Sequence, residues 1–424
     1  MRASWRTAGP AGWNDFDEQA EDALKRLTWT LATALVAAPL AGCPAPDCDT
    51  PGNVCTVAGT GEYGLNDEAA ATAATLYKPM DVIAVPASVG AFVIADWNNH
   101  KYRLVDGDGT IRTIVGTQFL GDGDPDFQER IAPGFPGTEC ALNHPTSGEW
   151  NPVTNRLMLA SWHNHRIREY DPATGLSLVV CADTDVDDGN GANAGFSGDG
   201  GPCADVLMAF PQSIAIRDDG DFYWWAHKNR RIRKATGDYS LVETIAGTGE
   251  LGYTGDGGSP LDATFNDWDP VDLQPEPNGA IELSADGNTL WMADSSNHAI
   301  RAIDLVNDVI TSLPGTGTQT KTQWDPDEGG ACDPTALCSP RDIELGPDGR
   351  LYIADTYNHV VRAYDLATDT MEVVAGVLGT AADGTDGVPA TESELHMPYG
   401  IDFAEDGALL IADTFNSRIR RVTP

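Results

Sequence analysis

An all-β fold, a six-bladed β-propeller of four-stranded antiparallel blades with the last blade closed by the N-terminal strand, is predicted by three observations. A nine-residue block recurs six times, its copies are almost evenly spaced, and the two ends of the chain carry complementary parts of one unit. The copies are ADWNNHKYR (95–103), ASWHNHRIR (160–168), WAHKNRRIR (225–233), ADSSNHAIR (293–301), ADTYNHVVR (354–362) and ADTFNSRIR (412–420). Their closing arginines lie 65, 65, 68, 61 and 58 residues apart.

The sequence around each block predicts four short strands. Upstream, SPRDIELGPDGRLYIAD (339–355) contains a proline, an alternating strand, an Asp-Gly turn and an apolar strand. Downstream, a further strand ends near glycine, as in LVETIAGTG (241–249). Four-stranded units at this spacing are typical of a propeller, because a closed ring buries each sheet against its neighbours. In blade four, either Pro270 or Pro277 could open the first strand.

The chain ends predict how the ring closes. The last unit stops at RIRRVTP (418–424), so it lacks a fourth strand, while NVCTVAGTG (53–61) is a fourth strand with no unit before it. We therefore expect the N-terminal strand to complete blade six, which removes two exposed sheet edges. This gives one propeller domain over residues 53–424, a tether over 43–52 and a signal region over 1–42, in which an over-long start would explain residues 1–24.

The blocks resemble the NHL repeat, a family named for an Asn-His-Leu-like tripeptide. The pair is present as Asn99-His100, Asn164-His165, Asn297-His298 and Asn358-His359, whereas blades three and six have Asn229-Arg230 and Asn416-Ser417. The resemblance covers about residues 53–424 and implies a propeller. It does not imply one activity, because the family includes ligand sensors, RNA-binding domains, scaffolds and a few metal-dependent lyases.

The N-terminal region predicts export. The apolar run LTWTLATALVAA (27–38) follows Lys25-Arg26 and is too short to span a bilayer. Leu40-Ala41-Gly42-Cys43 then resembles the bacterial lipoprotein signal, in which the cysteine is lipidated. We expect a protein lipid-anchored in the bacterial cell envelope through Cys43; an ordinary secretory signal is the alternative.

Charge limits the partners. The chain has 64 acidic and 26 basic residues, a net charge of -38, which repels phosphate backbones and makes nucleic acid a poor partner. We expect a monomer that binds a protein, peptide or glycan and meets the membrane only through its lipid anchor.

The cysteines predict structural disulfides, since export places them in an oxidising compartment. Close spacing favours Cys48–Cys55 and Cys332–Cys338. Two of Cys140, Cys181 and Cys203 are expected to pair, with Cys181 and Cys203 among the candidates.

Candidate ligand-binding residues lie around the central channel, where the block loops and the long connections between blades meet on one face. Asp96, Asp294, Asp355 and Asp413 share one repeat position, so they either cap their loops or form a carboxylate ring. The repeat histidines have the same two interpretations. Asp81 and Asp342 depart from the repeat, replacing Ser147, Ser213 and Gly400 of other blades, and could hold a cation or a basic ligand.

Metal binding is a weaker hypothesis. His144, His163 and His227 concentrate imidazoles in blades two and three, but without a fixed ligand spacing. The Asp/Gly-rich loops that contain Asp199 and Asp256 supply oxygen atoms suited to calcium, although their spacing does not match an EF-hand.

The sequence therefore favours a binding or scaffold propeller that presents its loop face to a ligand. The alternative is a metal-dependent lyase or hydrolase with its site at the channel mouth. No nucleophile–base motif such as GxSxG and no HExxH motif occurs in the sequence.

Overall fold

A computed structural model of the chain describes residues 45–67, 69–121, 128–182, 194–266, 277–314, 316 and 335–424. Backbone contacts divide the chain into residues 1–45 and 46–424, and all the strands given below belong to the second unit. Within the described ranges, no helix is long and apolar enough to cross a membrane.

The first three blades follow one another along the chain after β1 (Asn53–Ala58). Blade one contains β2 (Ala69–Ala70), β3 (Pro79–Ala84), β4 (Phe92–Asp96), β5 (Lys101–Val105) and β6 (Thr110–Val115). Blade two contains β7 (Phe135–Pro136), β8 (Pro145–Asn151), β9 (Arg156–Ser161), β10 (Arg166–Asp171) and β11 (Leu176–Cys181). Blade three contains β12 (Pro211–Ile216), β13 (Phe222–Ala226), β14 (Arg231–Ala235) and β15 (Val242–Ala246).

The last three blades repeat this plan. Blade four contains β16 (Ile281–Leu283), β17 (Thr289–Asp294), β18 (Ala299–Asp304) and β19 (Val309–Ser312). Blade five contains β20 (Pro340–Leu345), β21 (Leu351–Asp355), β22 (Val360–Asp365) and β23 (Thr370–Ala375). Blade six contains β24 (Val388–Pro389), β25 (Pro398–Phe403), β26 (Leu409–Asp413), β27 (Arg418–Val422) and β1.

Short 3-10 helices occur in the connections. Five of them follow the second long strand of a blade: Trp97–Asn99, His227–Asn229, Ser295–Asn297, Thr356–Asn358 and Thr414–Asn416. The others described precede a blade: Ala71–Ala73, Gln128–Arg130, Gly137–Glu139, Cys203–Asp205, Pro260–Asp262 and Ala390–Glu392.

The predicted fold and its closure are confirmed. The sheets are antiparallel with four long strands each, and three of them gain a two-residue outer strand, β2, β7 or β24. β1 pairs antiparallel with β27, placing Val54 opposite Val422 and Thr56 opposite Arg420. The N-terminal strand therefore completes blade six, as its sequence predicted. In blade four, the first strand follows Pro277, which settles the register left open by the sequence.

The hydrophobic core lies between the blades. Six clusters of buried side chains fill the six seams, as where Ile83 and Val93 of blade one pack with Leu157 and Leu159 of blade two. The second long strand of a blade is apolar at successive positions, as in FVIAD of β4, because neighbouring blades cover both of its faces. The innermost strands β3, β8, β12, β16, β20 and β25 contact one another around the ring and line the central channel.

Candidate functional site

The four repeat aspartates are part of the blade frame. Asp96 is fully buried; its Oδ1 accepts the backbone N–H of Tyr77 at 2.8 Å, and its Oδ2 accepts Asn99 Nδ2 at 2.7 Å and Arg103 Nη1 at 3.1 Å. The other three repeat this pattern of an asparagine amide, an arginine and a backbone N–H: Asp294, Asp355 and Asp413. Their oxygens are therefore occupied by the repeat's own donors, and the structure does not bring them together as a carboxylate ring.

The aspartates of the Gly-rich loops have a similar role. Asp199 contacts Arg233 at 2.5 Å and accepts the Thr244 hydroxyl at 2.7 Å, and Asp256 contacts Arg301 at 2.8 Å. These arginines close the sequence blocks and are buried, so each needs a carboxylate partner. The described contacts of Asp199 and Asp256 are thus with the protein's own arginines and a hydroxyl, and the calcium hypothesis stays a prediction.

The repeat histidines fasten one blade to the next. His165 Nδ1 accepts the backbone N–H of Phe210 at 3.1 Å, just before β12, and His298 and His359 accept the equivalent N–H of the following blade. Each of these histidines has a positive φ, as His165 does at 53°. They act as caps between blades.

Asp81 and Asp342 line the central channel. They lie on β3 and β20 around a small chamber with Ser147, Ser213 and Gly400, the residues they replace in the repeat. This upper chamber has a cavity volume of about 20 Å³, which is room for one water-sized group.

Gly400 explains why the two carboxyl groups come close. It lies between blades five and one, and a Cβ at this position would fall 2.4 Å from Asp81 Oδ1. The backbone N–H of Ile401 next to it donates to Asp342 Oδ2 at 2.8 Å. The missing side chain in blade six thus leaves space into which both neighbouring carboxyl groups reach.

A second acidic ring lies deeper in the channel and was missed by the sequence analysis. Around a lower chamber, also of about 20 Å³, the structure places Glu149, Glu282, Glu344 and Asp402 with Asp81 and Asp342. The new residues lie two positions after the upper ring on their strands. Side chains two residues apart share a face, so strand alternation was the available signal. Three of them, Glu149, Glu282 and Glu344, also line a cleft of about 390 Å³ at the other end of the channel.

Burial raises the pKa of all six channel carboxyl groups. It raises the pKa of Asp342 to about 7, of Glu282 to about 8 and of Asp402 to about 6. For Asp81, burial acts first and the charges of Asp342 and Asp402 raise the pKa further. A channel of this composition favours protons or a cationic group that replaces them.

Above the upper chamber, one repeat position divides the mouth of the channel into two halves. At the third position of the nine-residue block, blades four to six carry a hydroxyl residue: Ser295, Thr356 and Thr414. Each hydroxyl donates to a backbone carbonyl of the next blade. Blades one to three carry Trp97, Trp162 and His227 instead. The sequence analysis singled out His227 as a weak metal candidate, but passed over the two tryptophans.

The aromatic half leaves buried polar atoms unpaired. Trp97, Trp162 and His227 are at most 6% exposed, yet Trp97 Nε1, Trp162 Nε1 and both His227 ring nitrogens have no hydrogen-bond partner among the described residues. The rings lie close together, with centroids 6.3 Å apart for Trp97–Trp162 and 6.2 Å for Trp162–His227. Leaving such atoms unpaired costs about 1–3 kcal/mol each, so each calls for an explanation.

One residue of the upper chamber also has a buried polar atom without a hydrogen-bond partner among the described residues. Gln212, at 8% exposed, lines the chamber and its Oε1 has no partner among the described residues. On the opposite wall, Arg341 donates to Pro277 O and, at 3.2 Å, to the Tyr357 hydroxyl. Trp97 and Trp162 pack with Met80 and Tyr399, which also line the chamber.

The remaining histidine candidates form a separate cluster. His144 Nδ1 lies 2.7 Å from His163 Nδ1 and 2.7 Å from Asn143 Oδ1, and burial lowers the pKa of His163 to about 3. His227 instead stacks on Trp162. Within the described ranges, no group of three or more His, Cys, Asp or Glu side chains has an arrangement that could hold a metal ion.

Two disulfides agree with the spacing of the cysteines. The structure links Cys48 to Cys55 and Cys181 to Cys203. Cys140 is buried, and its Sγ donates to Pro136 O at 3.5 Å. Cys338 is also disulfide-bonded, whereas Cys332 lies outside the described residues, as does the predicted lipidation site Cys43.

Comparison with known proteins finds repeats and propellers. The model of the NHL repeat family matches residues 337–364, which contain β20 and β21 and most of β22. Protein SUPPRESSOR OF QUENCHING 1, chloroplastic, of Arabidopsis thaliana is 24% identical over 67% of this chain and 25% of its own length. NHL repeat-containing protein 2 of Bos taurus is 27% identical over 64% of this chain and 37% of its own length. The chain thus spans well under half of either relative.

Among solved structures, an auxiliary nutrient binding protein from Bacteroides thetaiotaomicron has a TM-score of 0.57 and 14% sequence identity, covering 87% of this chain and 75% of that one. At this identity the likeness concerns the fold alone. Sequence and structure together therefore show a six-bladed β-propeller with an NHL repeat in blade five.

Proposed function

We propose that this protein is an exported binding propeller, anchored in the cell envelope through Cys43, that takes a peptide, protein or glycan ligand at the mouth of its channel. The observation that carries the proposal is the set of buried, unpaired donors on Trp97, Trp162 and His227. A ligand with acceptor oxygens would satisfy them, and the aromatic rings around them supply apolar contact area.

The scaffold is suited to this role. The block loops are tied to neighbouring blades by hydrogen bonds, such as that from Thr356 Oγ1 to Pro398 O at 2.7 Å in one half and that from the Phe210 N–H to His165 Nδ1 at 3.1 Å in the other. A solved structure of the same fold is a nutrient binding protein, so this kind of propeller can serve binding. Fold alone does not assign a ligand, and the proposal depends on the mouth residues.

The test is ligand-induced stabilisation of residues 44–424, measured as a thermal shift with a panel of short peptides and oligosaccharides. A ligand held by the mouth should raise the melting temperature of the wild-type chain. The double variant Trp97→Phe, Trp162→Phe keeps two aromatic rings but lacks both N–H donors, so the shift should fall by more than half.

Trp224→Phe is the matched control. Trp224 Nε1 is also buried and unpaired among the described residues, but the residue packs in the core between blades two and three. Its variant should keep the full ligand shift. If the double variant responds as strongly as the wild type, the proposed binding site is wrong.

The anchor has its own test. Replacing Cys43 by serine should release the protein from membranes of a bacterial expression host, since lipidation requires the thiol. A Cys43→Ser protein that stays in the membrane fraction would contradict the anchoring.

A further inference from the structure

We propose that the ligand presents a primary ammonium group, which enters the upper chamber between Asp81 and Asp342. This inference rests on the proposed function, because it describes what the mouth binds. The ammonium group would come from the amino terminus of a peptide or from a lysine side chain, two sources of one chemistry.

The volume of the upper chamber favours an ammonium group over larger cations. The chamber lined by Asp81, Asp342 and Gln212 has a volume of about 20 Å³. An ammonium group is compact and of about the size of a water molecule, whereas a guanidinium group is a wide planar fork. A sugar ring or an aromatic side chain is also too large for this space.

The acceptors around the chamber match three N–H bonds. Asp81 Oδ1 accepts the N–H of Val82 at 2.8 Å and Asp342 Oδ2 that of Ile401 at 2.8 Å, which leaves each carboxyl group further acceptor capacity. Gln212 Oε1 supplies a third acceptor, on a side chain that is 8% exposed and unpaired among the described residues. An unpaired, buried acceptor on a residue that lines the chamber together with the two carboxyl groups is the independent sign that a donor-bearing group belongs there.

Charge favours the same occupant. The lower chamber adds Glu149, Glu282, Glu344 and Asp402 beneath the pair. The cation in the chamber wall, Arg341, directs its guanidinium to Pro277 O and the Tyr357 hydroxyl at the rim. A positive group in the chamber would therefore lie above six carboxyl groups, against which the described residues that line the two chambers set one basic side chain, Arg341.

The two tryptophans next to the chamber carry donors for the rest of the ligand. Next to the amino group of a peptide is a carbonyl oxygen, an acceptor of the kind that Trp97 Nε1 and Trp162 Nε1 lack. These tryptophans pack with Met80 and Tyr399, which line the chamber, so ammonium and carbonyl sites are adjacent.

Three capped peptides test the inference by titration calorimetry on residues 44–424. Gly-Gly-Gly-amide has a free amino terminus, acetyl-Gly-Lys-Gly-amide has only a lysine amine, and acetyl-Gly-Gly-Gly-amide has neither. At least one of the first two should bind about tenfold or more tightly than the third, and which of them does identifies the source of the ammonium group. Equal binding of all three, or no binding by any, overturns the inference.

Charge-neutralising variants locate the site. Asp81→Asn and Asp342→Asn keep the side-chain shape and should each weaken binding of the amine peptide by about tenfold or more. Asp402→Asn makes the same charge change in the lower chamber and should weaken it by less than about threefold. A comparable loss in all three variants would mean that only the overall negative potential matters, and would overturn the placement.

A measurement on the unmodified chain guards against misfolded variants. Methylammonium chloride should raise the melting temperature above that in tetramethylammonium chloride or potassium chloride of equal ionic strength. Equal stabilisation by potassium would make the chamber an inorganic cation site instead. If the acetylated peptide binds as tightly as the two amine peptides and loses affinity in Trp97→Phe, Trp162→Phe, the proposed function stands and the ammonium inference fails.

Discussion

The two halves of the channel mouth are built on the same frame and use one repeat position differently. In blades four to six, hydroxyls close the seams: Thr356 Oγ1 and Thr414 Oγ1 each donate to a carbonyl of the next blade at 2.7 Å. In blades one to three, Trp97, Trp162 and His227 stand there with donors that have no partner among the described residues. One half thus uses its donors to join neighbouring blades, whereas the buried donors of the other half have no partner among the described residues.

The difference teaches where to look for function in a repeat protein. The residues that recur in most blades, such as Asp355 and Arg362 at 2.6 Å, form internal ion pairs. The residues that break the repeat, Asp81, Asp342, Trp97 and Trp162, gather at one end of the channel. Substitutions can test whether the aromatic half and the hydroxyl half of the mouth contribute differently to stability and binding.

The largest effect is expected from Trp162→Ala. Trp162 is fully buried in the aromatic half, so its loss should leave a cavity and destabilise the fold by about 3–5 kcal/mol. Chemical denaturation measures this. A loss below about 1 kcal/mol would show that the aromatic half does not pack as described.

A smaller effect is expected from Thr356→Val in the hydroxyl half. The substitution keeps the shape but leaves the carbonyl of Pro398 without this donor, which should cost about 1–2 kcal/mol. The control is Thr368→Val on an exposed turn of the same blade, which should change stability by less than about 0.5 kcal/mol. Equal losses of stability in the two variants would show that the Thr356 hydroxyl does not stabilise the contact between blades five and six.

The channel below both halves predicts a dependence on pH. Its carboxyl groups have pKa values raised by burial, to about 8 for Glu282, so the folded state binds more protons than the unfolded state and stability falls as pH rises. The buried histidines have lowered pKa values and act with the opposite sign as pH passes their ordinary value of 6.5. Because a carboxyl variant and the wild type share these histidines, the difference between their pH profiles isolates the carboxyl effect.

Between pH 6.5 and 8, the free energy of unfolding should fall by about 1 kcal/mol less in Glu282→Gln than in the wild type. Relative to the wild type, the variant is therefore more stable at pH 8 than at pH 6.5. Denaturation at the two pH values measures it, with Glu243→Gln, on the exposed edge of blade three, as control. Parallel pH profiles for wild type and Glu282→Gln would show that the pKa of Glu282 is not raised.

The smallest effect, and the most discriminating, is expected from Trp162→Phe without ligand. Removing an unpaired buried N–H relieves a desolvation cost, while the smaller ring loses some packing. The net change should lie within about 1 kcal/mol of zero, in contrast to Trp162→Ala. A loss as large as that of the alanine variant would mean that the indole nitrogen has a partner within the protein.

Much of this architecture could be predicted from the sequence because it repeats. The block spacing predicted six blades, the unmatched strand at residues 53–61 predicted the closure, and the breaks in the repeat pointed to Asp81 and Asp342. The sequence also showed the difference between the two halves of the mouth. The blocks of blades one to three begin ADW, ASW and WAH, whereas those of blades four to six begin ADS, ADT and ADT.

The rest depended on three dimensions. Glu149 and Glu344 become one cluster only when strands from separate blades converge, and a strand by itself does not show which of its faces will line the channel. Whether Trp162 Nε1 has a partner is a property of the packed mouth and has no sequence signature. The ion pairs of the loop aspartates Asp199 and Asp256 with distant arginines could not be predicted either, because a local motif does not show a partner that lies far away in the sequence.

The pairing of β1 with β27 also fixes the order in which the molecule can be made. Val54 is among the first propeller residues to leave the ribosome, and its neighbour Val422 is among the last. For most of synthesis, blade six lacks its fourth strand and β1 has no sheet to pair with, so an incomplete chain exposes unpaired strand edges. Any chaperone that assists this fold would therefore need to shield β1 until β27 has been synthesised.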